Sequence, residues 1–371
     1  MRSKNVVTIF SILVTLSLVL AACAPQQAST EEAGGGPQSP SGTEVPAGST
    51  EEPSMPQSDR TGAWLDEVIF TEENSAEAAA SQLNAGQLDI YAYTVAEAPV
   101  FETVKASEGL AYSSAAGSNV AMMFNPAQLA SGELNPFSDQ QIREAMHYVI
   151  NRDYVVQEIY KGLAIPKYSV LSTVFPDYAR YADIMRELEA KYAYDFEKGQ
   201  AIVDERMAAL GAEKVDGKWT YNGAVISLKF VIRTEDNRLP IGDYFAGQLE
   251  LLGFEVERLY KNRTEASPYW VQSDPAEGTW HVYTAGWIAP SISRDEGTQF
   301  SGYFTPRGFG IPLWQAYTPP AEFDEVALKL ESNDFQNLEE RRELFATALP
   351  YSLSEAYEIW VVDEKLCRGY P

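Results

Sequence analysis

The chain has 371 residues and a formal net charge of −25 at pH 7, with 53 acidic against 28 basic side chains. That balance excludes nucleic-acid binding, which rests on Lys and Arg neutralising phosphates. Two cysteines and two histidines are too few for a disulfide framework or a zinc site of the usual Cys/His kind.

At the N-terminus, Arg2 and Lys4 precede an apolar run from Val6 to Leu20, which stops at Leu20-Ala21-Ala22-Cys23. A basic start, a short apolar core and a small-residue cleavage site describe an export signal. The run falls short of the roughly 20 residues that span a bilayer. Leu-Ala-Ala-Cys resembles the lipobox of bacterial lipoproteins. The resemblance implies a signal peptide over 1–22, cleavage before Cys23 and a lipid on its thiol. Residues 23–61 then carry the lipidated Cys23 and a linker dominated by small and polar residues. Val45 and Met55 are the larger apolar side chains of 24–60, so the linker buries too little to offset its chain entropy. It is expected to be a flexible tether, with the membrane reached through the lipid anchor alone.

Beyond Gly62 the pattern is α/β. Residues 67–70 and 88–93 read as strands, and Ser75 to Leu83 between them as a helix. Val120 to Phe124 reads as a further strand. Ser138 is placed to cap a helix, with Gln141 at the capping-box position. Ile142, Ala145, Met146, Val149 and Ile150 form one apolar face of that helix, and a second helix follows over 153–160. Asp195 caps a helix that Gly211 ends. Asp216-Gly217 is a hairpin turn. A strand over 225–232, a helix through Ile241 to Leu249 ended by Gly253, and a strand from Phe254 follow. Trp280 to Trp287 is the most aromatic strand. Two more helices carry Phe323 to Leu330 and Leu344 to Leu349, and a last strand begins over 358–362.

Catalytic patterns are lacking. There is no G-x-S-x-G elbow, P-loop or G-x-G-x-x-G. His147 and His281 have no second His or Cys at metal-ligand spacing, and His147 reads as a packed helix residue. No carboxylate pair stands out from the general acidity as glycosidase-like.

Several blocks in order resemble one family. Asn135-Pro136-Phe137-Ser138-Asp139 through Arg143-Glu144-Ala145, then Val149-Ile150-Asn151-Arg152-Asp153, is similar to a conserved-looking block of the family-5 extracellular solute-binding proteins. These are dipeptide- and oligopeptide-binding subunits of ABC importers. Phe124-Asn125, Leu210-Gly211, Gly253-Phe254-Glu255-Val256, Ala285-Gly286-Trp287 and Glu339 to Phe345 resemble the family's other segments. The resemblance implies a periplasmic-binding-protein-like fold (type II, cluster C) with two lobes and lobe I incomplete. It places a lobe I remnant and hinge at 62–118, a C-terminal ligand-binding lobe at 119–357, and a truncated return to lobe I at 358–371. It also implies an ABC permease and ATPase as partners, and neither a cofactor nor an enzymatic activity. A lipoprotein that keeps the fold as a sensor or remnant, and a secreted hydrolase, are the alternatives.

The same resemblance directs attention to the strand ending Gly286-Trp287. Tyr283 and Ala285 share a face with Trp287, because side chains alternate along a strand. These rings serve equally well as ligand platform or as core. Tyr303, Trp314 and Tyr317 are weaker candidates from the following loops, while Arg294 and Asp295 offer charge for a ligand terminus or pair as a surface ion pair. Family peptide binders usually carry an aspartate where this chain has Pro290, which leaves peptide, oligosaccharide or another small polar solute as the expected ligand. The anchor reading is directly testable. Cys23→Ser is expected to release the protein from membranes or leave its precursor unprocessed, as read by fractionation; unchanged partition and processing contradict it.

Overall fold

The computed structural model describes residues 61, 65–93, 95, 97–288 and 292–370. The expected signal, Cys23, the tether, Gly62-Ala63-Trp64 and Pro290 lie outside the described residues. The chain divides into two compact units after Ile69. The described part of the first contains no helix or strand, so the expected strand over 67–70 does not form. Its side chains are solvated, with Ile69 73% exposed, and no ladder offsets the entropy of extending them.

The second unit is built on a mixed sheet. Its strands are β1 (Ala111–Phe124), β2 (Ala164–Pro166), β6 (Ser227–Arg233), β7 (Glu255–Lys261), β8 (Val282–Ile288) and β9 (Glu358–Tyr370), and they lie in the order β2-β9-β1-β8-β6-β7. The short strands β3 (Glu213–Val215), β4 (Lys218–Tyr221) and β5 (Ala224–Val225) form a separate small sheet. β1 pairs antiparallel with β8 and with β9, whereas β6 pairs parallel with β7 and β8. A parallel pair needs a crossover, and the helix Arg238–Leu251 supplies it between β6 and β7.

Helices cover both faces, so the central strands read as unbroken apolar runs. Val120, Met122 and Phe124 point into one core with Ile142, Met146, Val203 and Phe245. Ala121 and Met123 point into a second core with Tyr283, Phe304, Trp314 and Phe345. A third, small core gathers Ala76, Ala79, Leu83, Tyr91 and Phe101 under two short helices. Tyr91 is buried there from an irregular segment, so the expected strand at 88–93 is also absent.

Local signals act where they were read, with two shifts. Asp195 accepts from the Lys198 N–H at 3.0 Å and caps Phe196–Ala209. Asp216 and Gly217 both have positive φ, as a two-residue hairpin requires. Gly253 has φ +101°, and a Cβ there would lie 3.0 Å from the Gly217 carbonyl. The cap expected at Ser138 falls one residue later. Asn135 first starts a 3-10 turn over Pro136–Ser138, and the Asp139 carboxylate then accepts from Gln141 and Ile142 N–H. The helix expected over 153–160 begins at Arg152, with Asn151 as cap, and widens to a π-turn over Val155–Ile159. β1 starts nine residues before Val120 and crosses the expected 118/119 boundary, while β9 continues to Tyr370 beside it.

Buried arginines tie the C-terminal elements to the rest. Arg143 donates to the Phe137 and Glu355 carbonyls, both at 2.9 Å, and pairs with the Glu355 carboxylate. Arg152 donates to the Lys167 and Trp360 carbonyls at 2.8 and 2.9 Å and stacks on Tyr168. Arg341, on the helix Leu338–Glu355, meets Asp177 through two bonds of 3.0 and 2.7 Å, and Asp177 is wholly buried. Removing one partner of a buried pair costs about 3–5 kcal/mol, because the other charge stays desolvated. Arg341→Ala is therefore expected to lose that much in urea denaturation, and Arg341→Met with Asp177→Leu to recover part of it. A single-mutant loss below about 1 kcal/mol, the scale of an exposed pair, contradicts this role.

Candidate functional site

β8 and β1 build the floor of the site. Ala285 pairs with Ala121 and Tyr283 with Met123, all four on the second core's face. Two small residues side by side leave room above them. Rings from four other segments fill it: Trp270, Tyr303 on the helix Thr298–Phe304, Phe309, and Trp314 on the helix Pro312–Ala316. Trp287, next to the last residue of β8, lies at the upper margin of this layer and is half-buried. Its ring stacks on Phe309 at 5.0 Å and meets Tyr303 edge-on at 5.0 Å, with Trp314 at 6.1 Å. Such ring pairs contribute about 0.5–1.5 kcal/mol beyond area burial, so the indole is well fixed.

The indole N–H of Trp287 donates to the Glu358 carboxyl. Glu358 opens β9, is 1% exposed, and its second oxygen has no partner among the described residues. Burial pushes its pKa up to about 8, against the Trp287 hydrogen bond and Lys167, which favour the anion. A second buried group lies on the segment that follows β8. Glu296 is 3% exposed and accepts from the Ser172 N–H at 2.9 Å. Burial pushes it up to about 7, with Ser172 and Lys167 opposing. Lys167 itself pairs with Asp363 at 3.3 Å.

The expected residues are thus distributed unevenly. Tyr283, Trp287 and Tyr303 come together in one layer. Tyr283 is core: it is 1% exposed, stacks on Trp270 at 4.7 Å, and its hydroxyl accepts from Arg233 at 3.1 Å. Tyr303 is 7% exposed and lies under Trp287. Gly286 faces the other way, where a Cβ would sit 3.1 Å from Arg238 Nη1. Arg294 is exposed. Asp295 pairs with Arg341 at 2.7 Å, not with Arg294. Trp314 donates its indole N–H to the Tyr303 carbonyl at 2.7 Å and is fully buried. Glu358, Trp270, Phe309 and Glu296 were not singled out from sequence. Only Glu358 carried a usable signal: Ile359 and Val361 are apolar on one face, which turns Glu358 and Trp360 to the other. Among the described residues no cluster of His, Cys, Asp and Glu has metal-binding geometry. His147 is buried and hydrogen-bonded to the Leu353 carbonyl at 2.9 Å.

The buried carboxyls set a pH dependence of stability. Both are raised above the ordinary glutamate value of 4.5. Between about pH 4.5 and their folded values the native chain therefore holds protons that the unfolded chain has released. Stability falls as pH rises through that window. His281 works in the opposite direction but lower down, because burial holds it at about 4 against 6.5 when exposed. From pH 6.5 to 8 these two carboxyls act while His281 has already lost its proton in both states, so the melting temperature is expected to fall. Glu358→Gln is expected to flatten that limb. A melting temperature that rises or stays level over this interval in the wild type contradicts the buried-acid assignment.

Comparison with known proteins agrees with this architecture. The family model for bacterial extracellular solute-binding proteins, family 5 middle region, matches residues 58–309. No curated protein matches. Among solved structures, the oligopeptide-binding protein AppA of Bacillus subtilis, in complex with a nonapeptide, is similar at TM-score 0.60 and 18% identity, over 80% of this chain and 54% of that one. A periplasmic oligopeptide-binding protein of Thermotoga maritima with bound mannohexaose gives 0.62 and 20%, over 81% and 54%. NikZ of Campylobacter jejuni in complex with Ni(L-His) gives 0.57 and 15%, over 79% and 54%. The chain spans about half the length of these solved proteins. At such identities the likeness establishes a shared fold, and with the match across residues 58–309 it follows that this chain belongs to the bacterial extracellular solute-binding proteins, family 5.

Proposed function

We propose that the chain is the ligand-contacting part of a lipid-anchored extracytoplasmic binding protein, which delivers a peptide or another small polar solute to an ABC permease and its ATPase. It acts by binding and carries out no chemical turnover. Residues 119–357 supply the binding lobe, 62–118 the hinge side, and Cys23 the lipid attachment. The observation that carries this reading is the half-buried Trp287, held by Glu358 and Phe309 at the margin of an aromatic layer. A fixed indole at the end of a central strand offers a flat face to a peptide plane, a sugar ring or a cation. The matched proteins bind a nonapeptide, mannohexaose and Ni(L-His), so the fold accommodates diverse solutes. Peptides are favoured slightly, with oligosaccharides next, because aromatic faces suit both.

Calorimetry on the mature chain tests this, with pools of di- to pentapeptides and with mannohexaose. Truncating a central aromatic contact costs roughly 2 kcal/mol or more, so Trp287→Ala is expected to weaken the bound member at least about tenfold with the fold intact. Equal affinity in the mutant makes Trp287 a core residue and moves the site elsewhere. Conversion of any bound ligand contradicts a purely binding role.

A further inference from the structure

A cavity opens further along β1, beside β2 and β9. It has a volume of about 390 Å³, within the range of small-molecule sites. Its floor is Ala116 on β1 and Ile165 on β2, and Val174, Phe175 and Ile292 form its walls. Val174 and Ile292 are 45% and 71% exposed although apolar, the pattern of a surface kept open for an apolar occupant. Among the described residues, the one charged side chain lining it is Lys365 of β9, which stands opposite Ala116 in the ladder.

These walls are tied down from behind. Ile165 pairs with Asp363 in the β2–β9 ladder. The Asp363 carboxylate accepts from the Thr173 N–H at 2.6 Å and its hydroxyl at 2.8 Å, which fixes the segment leading into Val174 and Phe175. Glu296 accepts from the Ser172 N–H at 2.9 Å and donates its own N–H to Asp177 at 2.8 Å. That anchors the segment carrying Ile292 against the same loop. A cavity whose walls are held in this way binds without first ordering them.

Lys365 decides the chemistry. It is half-buried, and its ammonium donates to the Gly162 carbonyl at 3.2 Å. Among the described residues no carboxylate lies within ion-pair distance of it, whereas Lys167, just past the end of the neighbouring strand β2, is paired with Asp363. A single ammonium beside apolar walls suits one carboxylate on an aliphatic body. A phosphate dianion calls for several converging donors, and a cation would meet a like charge. We propose that this cavity is a subsite for an aliphatic monocarboxylate, with the chain against Ile165, Val174, Phe175 and Ile292 and the carboxylate on Lys365. The subsite stands independently of the aromatic layer around Trp287.

Calorimetry with octanoate, octylamine and octan-1-ol on the mature chain tests it. Octanoate is expected to bind at least about tenfold more tightly than octylamine, and Lys365→Met to lose about the same factor for octanoate alone. Ala116→Leu, which fills the floor, is expected to abolish binding of octanoate and octan-1-ol together. Trp287→Ala is expected to leave octanoate affinity within about twofold, which separates this site from the aromatic one. Absence of octanoate binding, equal affinity for octanoate and octylamine, unchanged octanoate affinity in Lys365→Met, or its loss in Trp287→Ala each overturns the proposal.

Discussion

The ladder that joins β1 to β8 on one side and to β9 on the other sets which side chains meet. Asn119 stands opposite Trp287 in one register and opposite Asp363 in the other. Two steps further down, Ala121 stands opposite Ala285 and Trp360. A slip of one residue would turn all of these to the other face, where Val120, Met122 and Phe124 already fill the first core. Burial on both faces therefore locks the register. The irregularity between Ala116 and Ser118 then re-aims the upper part of β1. The aromatic layer and the Lys365 cavity are consecutive stretches of this one ladder.

Polar groups inside such a layer are costly unless bonded. The molecule meets this in two different ways. Where two charges sit together, as with Arg341 and Asp177, several short bonds offset desolvation. Where a carboxyl has too few partners, burial raises its pKa, to about 8 for Glu358 and about 7 for Glu296, so near pH 7 Glu358 is largely neutral and Glu296 about half so. A neutral acid still accepts the Trp287 indole N–H, a bond worth about 0.5–1.5 kcal/mol net. The indole is thus oriented by a hydrogen bond below and by Phe309 beside it, without an ion pair that high salt would weaken.

Local punctuation made much of the fold legible. Asp195, Asp216-Gly217 and Gly253 each act through backbone geometry within a few residues, so their roles are visible in the one-dimensional pattern. The runs at 67–70 and 88–93 misled because alternation shows only a tendency. A strand also needs a partner, and partners come from distant sequence. The true extent of β9 was hidden for the same reason. The strand begun over 358–362 runs on through Asp363-Glu364-Lys365, because Asp363 is neutralised by Lys167, Glu364 is bonded to Tyr160, and Lys365 to Gly162. The site followed the same division. The family resemblance points to Trp287 and to Tyr303 in the segment after it, and strand alternation puts Tyr283 on the same face. Asp295 was matched to its neighbour Arg294 because its actual partner, Arg341, is 46 residues away.

The claim on which the functional reading depends is that Trp287 is a ligand-facing ring and not core. Indole N–H resonances in a nitrogen-15 NMR titration report on it directly. With peptide pools or mannohexaose added to the mature chain, the Trp287 resonance is expected to shift, while those of the fully buried Trp280 and Trp314 stay in place. A titration in which ligand binds and the Trp287 resonance does not move would contradict the assignment of this face as the binding surface.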